Sequence, residues 1–447
     1  MLSSKKNALV TLVLLGLVMA TLVGCGPAAT PTTAPTTAPA ETPIAPIETP
    51  TALAAERTIT VWGFVWTADW LDAIAPGFEA EHPGVKVKVE RFEYDPYQDM
   101  VISTLASGVG VPDVVTLDPM WTGDLIRGGT VIPLDKAEEE LNVDDFVPGG
   151  WYLYSWQGVQ YGVPLDLDFN ILFYRKDVYD AAMQALGMTE FPRTTEEFIR
   201  LAKEVTAETG KAAILLFQGD YYAWYQSFLA PLGGNLMNDE GTEYIFNSDV
   251  AVQALQLYSD LVNVHKVARL WTADIDGDSM VAVSGGDVMA IMYGSWYATE
   301  IAAGAPDMAG KWAMVGLPWG EEGRKYDAAV GGACLSIPKG AKEPELAWEF
   351  LKYSQRPEVM ATYFTIVGGV PALKTSWDDP AFDEVNTYLG VAFGDYIAEL
   401  SLRVMPMQLP SLEVADLIGE AITKATTGEA TAKEALDEAV AAAPPLQ

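Results

Sequence analysis

Cysteine and histidine are almost missing from this sequence: Cys25 and Cys334, His82 and His265 are all it has. With Cys25 assigned to another task below, Cys334 stands alone, no intrachain disulfide can form, and the fold must be held by its core. Neither histidine has a His or Cys neighbour at metal-ligand spacing, so no metal site is expected and zinc catalysis is excluded. The run Asp274-Ile275-Asp276-Gly277-Asp278 begins like a calcium loop. Its sixth position is Ser279 and its twelfth Gly285, where that loop needs Gly and Glu, so it reads as a solvated turn. Basic residues are scarce too, 27 Lys and Arg against 61 Asp and Glu, giving a formal charge of −34 that becomes −36 once Lys5 and Lys6 are removed. Such a surface repels phosphate backbones, which excludes nucleic acid as a partner, and anionic lipid heads repel it as well. Nothing points to a cofactor.

The apolar run over residues 8–23 falls short of the ~20 residues that span a bilayer. Lys5 and Lys6 precede it, and it ends in Leu22-Val23-Gly24-Cys25. A positive start, an apolar middle and small residues before a cleavage point make an export signal over residues 1–24. Its end resembles a bacterial lipobox, which implies that Cys25 is acylated and becomes the first residue of the mature protein. The alternative is an uncleaved anchor helix; either way the body lies outside the cytoplasm, tethered to a membrane. Residues 25–55 continue this theme, because 27–50 are almost entirely Pro, Thr and Ala. With few large apolar side chains the segment cannot offset its ordering entropy, and its prolines favour extended conformations. At ~3.1 Å per residue, a linker of roughly 25 residues holds a globular body up to ~75 Å from the bilayer.

About 390 residues remain, more than one core usually organises, so two lobes are expected. The chain is 50% hydrophobic and has 13 Trp, enough for a well-packed interior. Residues 58–62 read as a strand, 69–81 as a helix with Trp70, Ile74 and Phe78 on one face, and Val85, Val87 and Val89 as an alternating strand. A helix over 97–107, a strand over 114–117 and a helix over 122–127 follow. This β-α-β-α-β order argues for a parallel sheet, where ligands bind beyond the carboxyl ends of strands. Thr194 with Glu197, and Thr431 with Glu434, have capping-box spacing. Strand signals recur at 213–217, 288–293 and 329–337, a helix at 345–354, and two helices over 411–443 broken at Gly428. The fold class is α/β.

Aromatic and acidic residues gather just past these strand ends: Gly63-Phe64-Val65-Trp66, Phe92-Glu93-Tyr94, Asp118-Pro119-Met120-Trp121, Gln218-Gly219-Asp220-Tyr221-Tyr222-Ala223-Trp224 and Tyr293-Gly294-Ser295-Trp296. A sugar ring has an apolar C–H face and a hydroxyl rim, so it needs flat aromatic platforms together with carboxylates, amides or Arg. Each aromatic taken singly reads equally well as core; the repetition at strand ends favours a ligand site. In Leu165-Asp166-Leu167-Asp168-Phe169-Asn170-Ile171-Leu172 the strict alternation places Asp166, Asp168 and Asn170 on one strand face. That face is a ligand wall or a solvated edge. Carboxylates two residues apart on one strand would not flank a glycosidic bond from opposite sides.

These motifs stand in an order similar to that of the extracellular solute-binding proteins serving sugar-importing ABC transporters, the maltose-binding-like group. The similarity runs through Ile59-Thr60-Val61-Trp62, Pro112-Asp113-Val114-Val115, Gly162-Val163-Pro164, Phe173-Tyr174-Arg175-Lys176-Asp177, Met289-Ala290-Ile291-Met292-Tyr293-Gly294-Ser295-Trp296 and Gly316-Leu317-Pro318. It continues through Gly331-Gly332-Ala333-Cys334-Leu335-Ser336-Ile337 and Ala347-Trp348-Glu349-Phe350-Leu351. The resemblance implies a periplasmic-binding-protein-like fold, with a ligand cleft between two lobes joined by crossing segments. The first lobe would hold residues 56–164 and 317–357, the second 165–316 and 358–447. It further implies Trp296 as a stacking platform, Asp168 as a hydroxyl acceptor, and Asp118 with Trp121 as first-lobe contacts. Trp66, Gln218, Trp271, the Gly332 backbone and Arg403 match further cleft positions. The implied function is capture of a carbohydrate by a monomer that closes on it and docks on a membrane permease, without catalysis. Two alternatives stay open: a binder of an organic cation such as a polyamine or quaternary amine, and a surface glycoside-acting enzyme.

Overall fold

The computed structural model describes residues 56–446 apart from Glu240, 273–278, 321–324 and Met407. The chain lays down β1 (Arg57–Phe64), β2 (Val85–Phe92) and β3 (Val114–Leu117). After a hairpin of β4 (Ser155–Trp156) and β5 (Val159–Gln160) come β6 (Val163–Pro164), β7 (Asp166–Leu167) and β8 (Asn170–Arg175). Then follow β9 (Ile214–Phe217), β10 (Ala268–Trp271), β11 (Ala290–Gly294), β12 (Trp312–Val315), β13 (Ala328–Val330), β14 (Cys334–Ser336) and β15 (Val370–Pro371). A second hairpin, β16 (Val385–Asn386) with β17 (Val391–Ala392), precedes β18 (Val404–Pro406).

Two five-stranded sheets result, ordered β2-β1-β3-β14-β6 and β10-β9-β11-β8-β12. In the first, β2, β1 and β3 run parallel, as the alternating strand and helix signals require, while β14 runs antiparallel between β3 and β6, so that β6 shares the direction of β3. The second repeats this logic, with β10, β9 and β11 parallel and β8 antiparallel between β11 and β12, so that β12 shares the direction of β11. Helices cover both sheets, so central strands are apolar on both faces; all four residues of β3 are buried. The fold is two-lobed α/β. Among the described residues no helix is long and apolar enough to cross a membrane.

Local signals were sound where a segment stays within one lobe. Thr194 caps the helix Thr195–Thr209, and Thr431 with Glu434 makes both arms of its capping box. Gly428 closes the helix Leu412–Thr427 at φ +79°, a left-handed position that suits Gly. Two segments read as continuous strands are in fact broken. Residues 165–172 divide into β7 and β8, and 329–337 into β13 and β14; β8 and β14 lie in different sheets, and β7 pairs with β15, β13 with β18. The breaks meet each other, since Asp168 and Gly331 exchange backbone hydrogen bonds of 3.1 and 2.6 Å. This is the crossing between the sheets.

The helix Pro357–Val367, at the expected lobe boundary, packs on both sides, with Phe364 stacked on Phe382 at 4.3 Å. It packs on α1 (Val65–Glu81) of the first sheet: Trp70 Nε1 donates to Thr362 Oγ1 at 3.0 Å, and the Trp70 and Tyr363 rings meet edge to face at 5.2 Å.

Candidate functional site

One wall grows from the carboxyl ends of the first sheet. β1 ends at Phe64, and α1 starts at once, which leaves Trp66 in its first turn with 43% of its surface exposed. The Trp66 ring stacks on Tyr94, at 5.3 Å and 21°. Tyr94 opens α2 (Tyr94–Ser107) and donates its hydroxyl to Asp118 Oδ2 at 3.0 Å. Asp118 follows β3 and caps α3 (Pro119–Arg127), its Oδ1 accepting from the Met120 amide at 2.8 Å. Trp121, in the first turn of α3, is buried with its ring 5.4 Å from that of Tyr94.

The facing wall comes from the second sheet. After β9, Asp220 caps the short helix Tyr221–Trp224 and so presents two tyrosines. Tyr222 donates to Asp168 Oδ2 at 3.4 Å, and Gln226 Nε2 to the Asp168 carbonyl at 3.2 Å. After β11, Trp296 keeps 39% exposure and stands edge-on to Tyr293 at 5.0 Å. Gly294 makes this arrangement possible: a Cβ there would lie 2.3 Å from Asp168 Oδ1 and 2.4 Å from Trp296 Nε1. Trp121 Nε1 and the Tyr221 hydroxyl are buried with no hydrogen-bond partner among the described residues.

Between the walls lies the crossing. Asp166 Oδ1 accepts from the Ala333 amide at 2.7 Å, and the Tyr363 hydroxyl approaches the same carboxyl. Gly332 adopts φ +124°, and a Cβ on it would be 2.2 Å from the Asp166 carbonyl, so only Gly fits. Its own carbonyl accepts from the Tyr154 hydroxyl. Desolvation pushes Asp118 and Asp166 up to about 6. Asp168 goes up to about 7, first through desolvation and then through the charges of Asp166 and Asp118, with Tyr222 and Trp296 opposing. Each residue retains some accessible surface, yet its carboxyl is cut off from bulk water by aromatic rings. Tyr94, Tyr221 and Tyr222 are raised well above the ordinary phenol range, chiefly by desolvation. They remain hydroxyl donors at any physiological pH.

Of the residues expected from sequence, Trp66, Asp118, Trp121, Asp168 and Trp296 gather here, and Gly332 sits at the crossing in a structural role. Gln218 and Trp271 stand one step aside. The Gln218 amide donates to the Trp271 carbonyl at 2.9 Å, its Oε1 accepts from Thr272 at 3.0 Å, and Trp271 is buried under Arg269. Arg403 is not brought to the cluster. It pairs with Asp327 at 3.3 Å at the start of the β13–β18 ladder, while Asp168 meets Gly331 beyond its end, ~13 Å of strand away. Cys25 and the run 274–278 lie outside the described residues. Cys334 is buried in β14 beside Ser336, as a small core residue. Tyr94, Tyr221, Tyr222 and Gln226 were not named as site residues by the sequence, although the first three carry the same strand-end signal as those that were. Among the described residues no group of three or more His, Cys, Asp and Glu is arranged to hold a metal ion.

The site is thus a cleft with aromatic rings on both walls and neutral donors and desolvated carboxyls between them, shaped for a hydroxyl-rich solute. Residues 65–361 match the family model of the bacterial extracellular solute-binding proteins. The chain is 26% identical over 324 residues to an arabinooligosaccharide-binding protein of Halalkalibacterium halodurans, covering 72% of this chain and 71% of that one. It is 26% identical over 384 residues to a galactooligosaccharide-binding protein of Bacillus subtilis, covering 82% and 84%. In fold it is similar to the sugar-binding protein MalE of Xanthomonas citri, with a TM-score of 0.74 at 22% identity over 86% of this chain and 95% of the other. The GacH receptor of Streptomyces glaucescens gives 0.71 at 24% identity over 87% and 97%. A family match over well more than half of its length, on a two-lobed fold with a cleft of this make-up, means that this chain belongs to the bacterial extracellular solute-binding proteins.

Proposed function

We infer that the protein captures a carbohydrate, and specifically an oligosaccharide, in the cleft between its lobes and delivers it to the permease of an ABC importer. The observation that carries this reading is the pair Asp118 and Asp168, one from each wall, each flanked by aromatic rings and each accepting a tyrosine hydroxyl. Carboxylates so placed accept sugar hydroxyls in bidentate fashion, while Trp66 and Trp296, the two half-exposed tryptophans, offer platforms to the ring faces. The arabinooligosaccharide- and galactooligosaccharide-binding relatives carry oligosaccharides in their names and lend the organic-cation reading no support. Catalysis is not part of the proposal, because the family and the relatives named above are binding proteins.

Ligand that touches both walls favours the closed form, since only contacts made differently in two states shift the balance between them. The working lobes would be 56–164 with 317–357 and 165–316 with 358–447. The protein would act as a monomer, exported and held to the membrane through lipidated Cys25 and the Pro/Thr linker. Two measurements test this. In a thermal-shift screen of the chain from residue 26 onward, against mono- and oligosaccharides with polyamines and betaines alongside, a matching oligosaccharide at a hundredfold excess over Kd adds about 2.7 kcal/mol. A shift with amines alone would replace the sugar assignment. For the anchor, Cys25→Ser is expected to move the protein from the membrane fraction to the soluble exported fraction; unchanged membrane association would point to the uncleaved helix.

A further inference from the structure

We propose that Asp124 and Arg127, at the far end of α3, form a clasp that holds the lobes closed without touching ligand, and that Gly123 is present to let the clasp engage. The proposal rests on the hinge-closure part of the reading above and not on the identity of the solute. α3 follows β3 and belongs to the first sheet. The segment 408–412 belongs with the second, because it leads into the helix Leu412–Thr427, which packs on Asp249–Asn263 with Ser259 Oγ donating to the Ala425 carbonyl at 2.9 Å. Gln408 is tied to the same side through the Tyr225 hydroxyl and the backbone of Met237.

Across this boundary the contacts are direct. Arg127 Nη1 donates to the Leu409 carbonyl at 2.9 Å, and Nη2 to Asp124 Oδ1 at 3.1 Å. The other oxygen of Asp124 accepts from the Leu412 amide at 3.0 Å. One carboxylate therefore satisfies both the arginine beside it and the first orphan amide of a helix on the opposite lobe, where the helix dipole also favours negative charge. The guanidinium lies 5.5 Å from the Trp156 ring, and that ring extends to 4.0 Å from where a Cβ on Gly241 would stand. With only 13% of its side chain exposed, Arg127 escapes the screening that makes surface pairs nearly worthless.

Gly123 is the independent observation. It sits inside a helix, where Gly is normally unfavourable. A Cβ there would come 2.8 Å from Arg127 Nη2 and 2.9 Å from the Leu409 carbonyl. A methyl group would thus leave α3 itself intact, and favour it, while blocking the approach of the second-lobe segment.

The test follows lobe separation in the absence of any sugar. In the full chain carrying Cys25→Ser, dyes are placed at Val109→Cys and Val264→Cys, two exposed positions at the outer ends of the first and second lobes; buried Cys334 does not react. Single-molecule energy transfer should resolve a compact population. Gly123→Ala and Arg127→Gln are each expected to lower it at least threefold, with the melting temperature of Gly123→Ala unchanged or raised. A compact population equal to that of the parent in both variants would overturn the proposal. The outcome is separable from the sugar assignment: if no saccharide shifts the melting temperature yet both variants open, the clasp stands and the solute is of another class.

Discussion

Asp168→Asn is expected to weaken oligosaccharide binding at least tenfold and, at pH 8, to raise the melting temperature of the ligand-free protein. The two effects have one origin. An ionised carboxylate accepting a hydroxyl makes a charge-assisted hydrogen bond, worth about 1.5–3 kcal/mol, or about 10- to 150-fold in affinity. The same carboxylate is costly without its solute, because desolvation and the charges of Asp166 and Asp118 push it up to about 7. For an acid raised in the folded state, folding binds extra protons between the unfolded value near 3.9 and the folded one. Its favourable contribution is complete below that window and lost as pH rises through it. At pH 8 the ionised group is a net cost, discounted for its residual surface to on the order of 1–3 kcal/mol. Asn keeps the shape and a hydrogen bond to Tyr222 or Trp296 while removing the charge. Calorimetric melting at pH 8 and pH 5 checks this: the gain should shrink toward pH 5. A variant that melts lower at pH 8 and binds sugar as well as the parent would remove Asp168 from the site.

What the sequence disclosed and what it concealed divide along a physical line. β3 was legible to the residue because Asp113 and the Asp118-Pro119 pair bracket Val114, Val115, Thr116 and Leu117, all suited to a strand, and the helix caps were legible because a cap is a contact between residues three apart. The strand-end aromatics followed from chain order alone, since consecutive β-α units put every such loop on one side of a sheet. The breaks at Asp168 and Gly331 could not be seen in this way. Alternation continues straight through 165–172, and what ends it is a pair of hydrogen bonds to a residue more than 160 positions away. Even Gly331-Gly332, a visible flaw in the second segment, shows only that the backbone is special there, not that it turns around the Asp166 carbonyl. Arg403 failed for a related reason. Whether a side chain there turns inward or pairs with Asp327 depends on the parallel register of two short strands, which no local pattern encodes. Asp124, by contrast, looks in the sequence like one more acid on an acidic surface, and gains its meaning only from the amide of Leu412.

The pH dependence of binding should be as large as the effect of losing Asp168, and opposite in sign to that of stability. Burial pushes Asp118 and Asp166 up to about 6 and Asp168 up to about 7, with the charge of Asp118 adding to the rise of Asp166 and both charges adding to that of Asp168, so Asp168 does not titrate independently of its neighbours. Around them stand Tyr94, Tyr154, Tyr221, Tyr222 and Tyr363, all held neutral and able only to donate to or accept from them. A sugar hydroxyl donating to a carboxylate favours its charged form and lowers these values. Binding must then expel the protons that the empty cleft holds below pH 7. Affinity is expected to rise on the order of a hundredfold from pH 5 to pH 7 and to level off above about pH 8, about one proton being released over the lower range. The ligand-free protein should meanwhile lose stability as pH rises from about 4 to 7, where its folded carboxyls still hold protons that the unfolded chain has released. Titration calorimetry at pH 6 in buffers of different ionisation enthalpy gives the proton count directly. Release of a proton, insensitive to salt because the solute is neutral, fits the cleft as described. Uptake, or no exchange at all, would mean that the carboxyls meet sugar as neutral donors, and the roles assigned to Asp118 and Asp168 would have to be reversed.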